Sequence, residues 1–555
     1  MDATSHWRST TIRGSGIKPR GDGRGLNVNA AAAHTQVSMK MRSWLGRGKS
    51  LQLGVNACCV VAFILYGWEQ GVFGPILKNE DWLDLFNHPS DSATGIIVSC
   101  YNLGCLLGCA SKKSPSFVTF LLGERLGRRW TIWIAMSQIV IGTALQVSAY
   151  HIAHFIVGRV VRTGLKTSTV PMYQSELCPP TTRGRLVSAD IGINITYWFN
   201  FGMSYVGGPI AWRLPISIQA LSAIGVIFLV FALPESPRWL FNHGRQEEAI
   251  EVLCLIYDKD PTDPVILAER SAIQQAIALE SIGTQQGQGF FSIFKQDRVR
   301  TGYRIFLAWF IQFMNQASGI NLVVYYIPVV LQDSVGLTGR TSSILGGFIL
   351  LMFVVGGIWP SLALDRMGRR KTMMWGCGVL GVSMLFIACL LSQADKETAR
   401  GQKYAIASVA FFFVYMLGFG SSVNCVPWVY VPEILPLEAR TRGTAIGVSS
   451  NWLWNFTVAM ITPVILNRLG WKAYLIFTAT NLASIPFVYF LYPETSNLRL
   501  EDVDFIFSGG GDPVTVAKEL QSSMKIGLSA CNGNSGEAGV IPVRQDDENK
   551  KLGMV

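Results

Sequence analysis

The sequence has 555 residues, of which 50% are hydrophobic and only 15% are charged, with a formal net charge of +11. Soluble globular chains have about 25% charged residues, so this chain has too few charges to cover the surface of a soluble protein of its length. The composition excludes a disordered, fibrous or nucleic-acid-binding protein as the leading class and indicates a chain embedded in a lipid bilayer.

Apolar windows, each long enough to cross ~30 Å of hydrocarbon as a helix, follow a basic segment at residues 1–50 that has no apolar core and no signal-peptide segment. In the first half of the chain they lie near 53–77, 94–122, 129–149, 152–172, 186–208 and 214–233. In the second half they lie near 303–331, 342–364, 372–392, 404–430, 443–467 and 471–492. The chain therefore divides into a disordered arm, a first six-helix half, a helical loop, a second six-helix half and a tail, at 1–50, 51–233, 234–301, 302–493 and 494–555.

Three motifs occur twice in the same order, which indicates an internal repeat. The pairs are Gly123-Glu-Arg-Leu-Gly-Arg-Arg129 with Asp365-Arg-Met-Gly-Arg-Arg370, Glu176 and Arg183 with Glu433 and Arg440, and Pro234-Glu-Ser236 with Pro493-Glu-Thr495. They predict two homologous halves with a substrate site between them near the middle of the membrane. The Arg-rich loops after windows two, four, eight and ten place both termini and the central loop in the cytosol by the positive-inside rule.

An enzyme is not expected from this sequence. The histidines are scattered, and most of the eleven cysteines lie in apolar windows, where cysteine is typical of a small core residue. We find no Cys/His cluster with metal-ligand spacing, no nucleophile with a base and no phosphate-binding loop. The sequence therefore predicts no metal and no cofactor.

The ordered motifs resemble those of the sugar porters of the major facilitator superfamily, especially the fungal members, over roughly residues 50 to 508. Further motifs that carry the resemblance are Tyr66-Gly-Trp-Glu-Gln-Gly71, Pro171-Met-Tyr-Gln-Ser-Glu176, Pro234-Glu-Ser-Pro-Arg-Trp-Leu240, Gln316-Ala-Ser-Gly-Ile-Asn321 and Val426-Pro-Trp428. The resemblance implies an all-α membrane protein of the major facilitator fold, with twelve transmembrane helices in two pseudo-symmetric six-helix halves. It also implies transport of a sugar or polyol by alternating access, as a sugar:proton symporter of the plasma membrane.

Sugar hydroxyls both donate and accept hydrogen bonds, and uncharged Asn, Gln and Trp side chains are suited to bind them. The residues that the resemblance assigns to the substrate are Asn315, Gln316, Asn321, Tyr325, Tyr326, Trp428, Asn451 and Asn455. The alternative for the buried amides is hydrogen bonding between helices. Phe353 stands where many sugar porters carry a sugar-binding Asn, which argues against a simple assignment to glucose.

Glu69 lies inside window one, where the family's proton symporters usually have Asp, and Arg159 occupies the position of the usual Arg partner in window four. A carboxylate inside the membrane costs ~2.5–3.5 kcal/mol unless it is paired or functional. The resemblance implies that Glu69 and Arg159 couple proton movement to transport. A purely structural ion pair is the alternative.

Charged residues at the cytosolic helix ends are predicted to form gate contacts, and the alternative is that they only anchor the topology. They are Glu124, Arg125, Arg128, Glu176, Arg183, Glu235, Asp365, Arg366, Arg369, Glu433 and Arg440. An exposed ion pair contributes about 0–1 kcal/mol, so several pairs together are needed to bias a two-state equilibrium.

Windows two, four and five depart from the family pattern, because Ser111 to Val118 is an apparent insertion and the other two windows are short. A mis-assigned exon boundary or an inactive relative would explain these departures. A sugar sensor and a facilitative uniporter are further alternatives. The predicted partners are a small-molecule sugar, a proton and the lipid bilayer, without nucleic acid. A hexose, a pentose, a disaccharide or a cyclic acid such as quinate all fit, and the oligomeric state stays open.

Overall fold

The fold is taken from a computed structural model, which describes residues 46–109, 117–162, 165–178, 185–285, 297, 299–395, 397–436, 439–496, 498, 500–508 and 511–533. Every regular element in these ranges is an α-helix. In a bilayer a helix satisfies all its backbone hydrogen-bonding groups within one segment, which explains why apolar windows fold in this way. Residues 111–116 of the apparent insertion and most of the predicted N-terminal arm lie outside the described residues.

The helices of the first half follow the predicted windows in order. They are α1 (Lys49–Gly71), α2 (Phe73–Ile76), α3 (Glu80–Leu85), α4 (Asp91–Cys109), α5 (Phe117–Val147), α6 (Ile152–Val161), α7 (Leu165–Leu177), α8 (Arg185–Met203) and α9 (Ile210–Phe231). The short helix α3 begins after Asn79, whose side chain accepts a hydrogen bond from the Trp82 backbone N–H at 3.0 Å and so caps the helix.

The described part of the central loop holds three helices, α10 (Pro237–Asn242), α11 (Gln246–Tyr257) and α12 (Pro264–Gln285). Helix α11 contacts the start of the first helix, because the Gly48 N–H donates to Leu255 O at 2.8 Å and Gln52 Nε2 donates to Ile256 O at 2.9 Å. These contacts fix the loop to the first half at the end of the bundle where α1 begins.

The second half contains α13 (Thr301–Ala317), α14 (Ile320–Asp333), α15 (Gly339–Met367), α16 (Arg369–Ser392), α17 (Ala399–Ser421), α18 (Val426–Ile434), α19 (Arg440–Leu469) and α20 (Lys472–Leu491). Two helices follow in the described part of the predicted tail, α21 (Leu500–Ser508) and α22 (Pro513–Gly533). Helix α21 contacts the second half through buried Ile506 and Phe507 and through an ion pair of 2.7 Å between Asp504 and Arg304.

Seven helical segments of the described chain are long and apolar enough to cross a membrane. They are Lys49–Ile76, Leu126–Val147, Ile210–Phe231, Gly339–Pro360, Arg369–Ser392, Ala399–Ile434 and Lys472–Leu491. The helices in the other predicted windows are interrupted or carry more polar residues. The fourth window breaks after Val161, the seventh breaks at Ser318 and Gly319, and the eleventh contains Asn451 and Asn455.

The two halves meet where α4 packs against α19, α8 against α15 and α2 against α14. The contact between α4 and α19 is close at Gly95, where an added Cβ would lie only 2.2 Å from Met460 O. A residue with a side chain at this position would force the two backbones apart. A hydrogen bond of 3.2 Å from Asn194 Nδ2 to Gly347 O joins α8 to α15.

The repeated motifs have the same geometry in both halves. Glu235 accepts hydrogen bonds from the backbone N–H groups of residues 128 and 129 at 2.8 and 3.2 Å, and Glu494 accepts from those of residues 369 and 370 at 2.8 and 3.1 Å. Each carboxylate thereby satisfies amide groups that have no partner within the helix that follows. Burial raises the pKa of Glu235, and the hydrogen bonds to its ionised form oppose this effect.

Candidate substrate site

A cavity lies between the two halves, with about 630 Å³ of space among its lining atoms, open solvent included. Six of the eight predicted substrate residues line it: Asn315, Gln316, Asn321, Trp428, Asn451 and Asn455. Helices α13, α14, α18 and α19 supply these side chains.

The break between α13 and α14 presents the amide side chains of window seven to the cavity. Gly319 has φ +94°, and an added Cβ would lie 2.7 Å from the Phe477 ring, so this position requires glycine. On either side of the break, Asn321 Nδ2 donates to Gln316 Oε1 at 2.8 Å, and Gln316 Nε2 donates to Asn315 Oδ1 at 2.9 Å. The three amides form one hydrogen-bonded row on the cavity wall.

Tyr325 and Tyr326 do not line the cavity, contrary to the sequence-based assignment. Tyr326 is buried and its hydroxyl donates to Ala459 O at 3.0 Å, which is a contact between helices α14 and α19. The Tyr325 hydroxyl lies 3.5 Å from Asn455 Oδ1. Tyr325 lies one helical turn beyond Asn321 on the same face of α14, whereas Tyr326 lies on a different face.

The cavity contains residues that the sequence analysis did not assign to the site. Tyr66 and Gln70 come from α1, Asp190 from α8, and Asn424 from the segment before α18. Tyr66 and Gln70 belong to the motif at 66–71, and Asp190 is a carboxylate in an apolar window. The motif and the carboxylate were therefore sequence features that could have indicated these site residues. Phe353 also lines the cavity and contacts Phe419, with ring centroids 5.7 Å apart.

The ion pair of Glu69 is formed with Arg162, and the predicted pairing with Arg159 is corrected. Both side chains of the pair are buried, and Arg162 also donates to Gln219 Oε1 on α9. Arg159 instead donates to Val98 O at 2.9 Å, and its guanidinium lies 4.0 Å from the centre of the Phe73 ring. Helix α6 ends at Val161, so the residue one turn beyond Arg159 is the one that reaches Glu69.

The predicted gate residues form the same ion pair in each half. Arg128 pairs with Glu176 at 3.2 Å, and Arg369 pairs with Glu433 at 2.8 Å. Each pair lies within one half and does not bridge the two halves. The pairs therefore hold the helix ends of each half together in this conformation.

The remaining predicted gate residues have diverse surroundings. Arg440 Nη2 donates to Leu435 O at 3.4 Å, and Arg366 is exposed. Arg183 lies outside the described residues, and so do the side chains of Glu124, Arg125 and Asp365.

At the opposite end of the bundle, an ion pair does join the two halves. Lys78, just after α2, contacts Asp333, the last residue of α14, at 2.9 Å. Both side chains are partly exposed, at 31% and 54%. The halves are thus linked at the end away from the central loop.

A family model described as "Sugar (and other) transporter" matches residues 55–507. The chain belongs to this family. The predicted resemblance is confirmed, and the protein is a multi-pass membrane protein related to the transporters of the major facilitator superfamily.

Relatives from fungi match over most of the chain. The MFS-type transporter oryC of Aspergillus oryzae is 36% identical over 82% of this chain and 85% of its own length. Sugar transporter STL1 of Saccharomyces cerevisiae is 31% identical, with 92% and 90% covered. The quinate permease of Neurospora africana is 34% identical, with 82% and 89% covered.

Among solved structures, the proton:xylose symporter XylE bound to 6-bromo-6-deoxy-D-glucose superimposes with a TM-score of 0.68. It is 20% identical to this chain, and the match covers 83% of this chain and 100% of XylE. The similarity shows that the fold is that of the major facilitator superfamily.

Proposed function

We propose that this protein carries a neutral sugar or polyol across the plasma membrane by alternating access, coupled to a proton through Glu69. The observation that carries the proposal is a cavity between the halves whose polar wall consists mainly of uncharged amides, three of them in one hydrogen-bonded row. Such groups match hydroxyls that both donate and accept. The likeness in fold to a proton:xylose symporter and the buried Glu69–Arg162 pair support coupling.

The architecture that we propose has twelve membrane-spanning helices in two six-helix halves, 51–233 and 302–493, with the termini and the loop 234–301 in the cytosol. The duplicated contacts of Glu235 and Glu494 support the two-half division. The end with Lys78 and Asp333 then faces outward and is closed by their ion pair, while the cytosolic ion pairs stay within each half. This arrangement supports an inward-facing state.

The direct test is uptake of a panel of labelled hexoses, pentoses, disaccharides and polyols into cells that lack their own carriers. We expect saturable uptake of at least one neutral compound, which a non-transporting sensor does not give. Binding without uptake would favour the sensor. Neither binding nor uptake by correctly inserted protein would favour an inactive relative.

Gln316→Ala is expected to raise the half-saturation concentration for the sugar on the order of tenfold at unchanged surface expression. Gln316 lies in the centre of the amide row, and loss of a hydrogen bond costs about 0.5–1.5 kcal/mol, or about 1–3 kcal/mol when a buried partner stays unpaired. Gln393→Ala, at an exposed helix end, is the matched control. Unchanged affinity in Gln316→Ala would show that the amide row only joins helices.

Lys78→Glu is expected to lower the half-saturation concentration for external sugar by up to about fivefold, because an exposed ion pair contributes about 0–1 kcal/mol. Removing the pair opposes closure of the outer end and raises the outward-facing population. The exchange of charges in Lys78→Glu/Asp333→Lys should restore the original value. If the double variant behaves like the single one, the pair does not act as a latch.

A further inference from the structure

The described lining of the cavity contains one carboxylate, Asp190, to which the proposed function gives no role. Asp190 is only 4% exposed, lies within α8 and lines the cavity together with Gln316 and Trp428. Asn424 Nδ2 donates to Asp190 Oδ2 at 3.3 Å, and among the described residues we find no ion pair for this carboxylate. A buried carboxyl group without a cationic partner is rare in a membrane-embedded helix and is typical of a functional site.

No cationic side chain of the described cavity lining accompanies this carboxylate. The described lining of the cavity includes no Lys, Arg or His, so nothing there would balance an anionic ligand. Arg162 is paired with Glu69. Arg159 does not line the cavity and is held by Val98 O and the Phe73 ring.

Asp190 also lies at the boundary between the halves. It belongs to the first half, while its hydrogen-bond partner Asn424 belongs to the second. The bond is long, since N–H···O bonds are usually about 2.7–3.2 Å. A ligand hydroxyl that enters the cavity can therefore take the place of Asn424 as the donor to this carboxylate.

We propose that Asp190 is a specificity-determining residue that accepts a hydroxyl hydrogen bond from neutral polyols and excludes ligands that carry a carboxylate. This inference rests on the proposed function and narrows its substrate class. The inference distinguishes this chain from carriers of cyclic acids, although one of its relatives, 34% identical, is named a quinate permease. When Asp190 is ionised, a ligand carboxylate about 6 Å away at an effective dielectric constant of about 20 would bind on the order of tenfold to a hundredfold more weakly.

The test uses ligand pairs that differ in charge, namely quinamide with quinate and glucose with glucuronate. Binding to the purified full-length protein in lipid nanodiscs is followed by calorimetry. We expect the neutral member of any pair that binds to be at least about tenfold tighter than its acid. Equal affinity within a pair that binds would overturn the inference and leave the proposed function intact. If no neutral ligand of the wider panel binds, the proposed function itself fails.

Asp190→Asn keeps the shape of the side chain and removes its charge. We expect this variant to reduce the preference for the neutral ligand to less than about threefold. Asp260→Asn, on the exposed surface of the central loop, is the matched control and should keep the full preference. A preference that is unchanged in folded Asp190→Asn would overturn the assignment to this residue. The comparison of charged and neutral ligands on the unaltered protein tests the inference even if the variant does not fold.

Discussion

The Glu69→Gln variant is expected to lose uphill accumulation of sugar and sugar-induced alkalinisation of the medium, while it retains sugar exchange down a gradient. Glutamine keeps the size and hydrogen-bonding capacity of the side chain but cannot ionise. Glu69 is buried and its ion pair with Arg162 connects α1 to the end of α6, so protonation would release this contact. A contact that depends on protonation is a means to link proton binding to the conformational cycle.

The size of the driving force makes this prediction measurable. A membrane potential supplies ~2.3 kcal/mol per charge per 100 mV, which corresponds to roughly fortyfold accumulation of an unmetabolised sugar. A uniporter cannot exceed equilibrium. Accumulation by Glu69→Gln equal to that of the unaltered protein would show that Glu69 is structural, and absence of accumulation by the unaltered protein would indicate a uniporter.

Much of the fold was accessible from the sequence, because the bilayer imposes long apolar helices and the repeated motifs mark equivalent positions along the chain. The paired contacts of Glu235 and Glu494 occur where the motifs predicted equivalent positions. The number of spans is less accessible from hydropathy. Helices α13, α14 and α19, which supply most of the amides of the cavity wall, are not among the seven long apolar segments.

The candidate site was predicted best where a single motif carries several of its residues. The segment 316–321 holds two amides on either side of a helix break, and both line the cavity. Residues brought together from different helices were harder to predict. Asp190 and Asn424 are far apart in sequence and meet only because the two halves pack together. The family resemblance also predicted an ion pair between Glu69 and Arg159. Helix α6 ends at Val161, and the ion pair of Glu69 is formed with Arg162.

The identity of the arginine that pairs with Glu69 can be tested by a double-mutant cycle. Arg162→Gln is expected to lower stability by about 3–5 kcal/mol, because it leaves the buried Glu69 carboxylate without its cation. Glu69→Gln in the same chain removes that unpaired charge and should recover most of the loss. The stability of the purified protein is followed by thermal unfolding in detergent for the two single variants and the double variant.

Arg159→Gln is the matched comparison, since Arg159 is also buried and lies in α6, three residues before Arg162. Arg159 contacts Val98 O and the Phe73 ring. The loss of stability in Arg159→Gln should therefore be the same whether residue 69 is Glu or Gln. A strong coupling energy between residue 69 and Arg159, with none between residue 69 and Arg162, would favour the Glu69–Arg159 pair that the family resemblance implies. Coupling to Arg162 alone would instead mean that the shortened fourth window has transferred the proton-linked contact by one turn of helix.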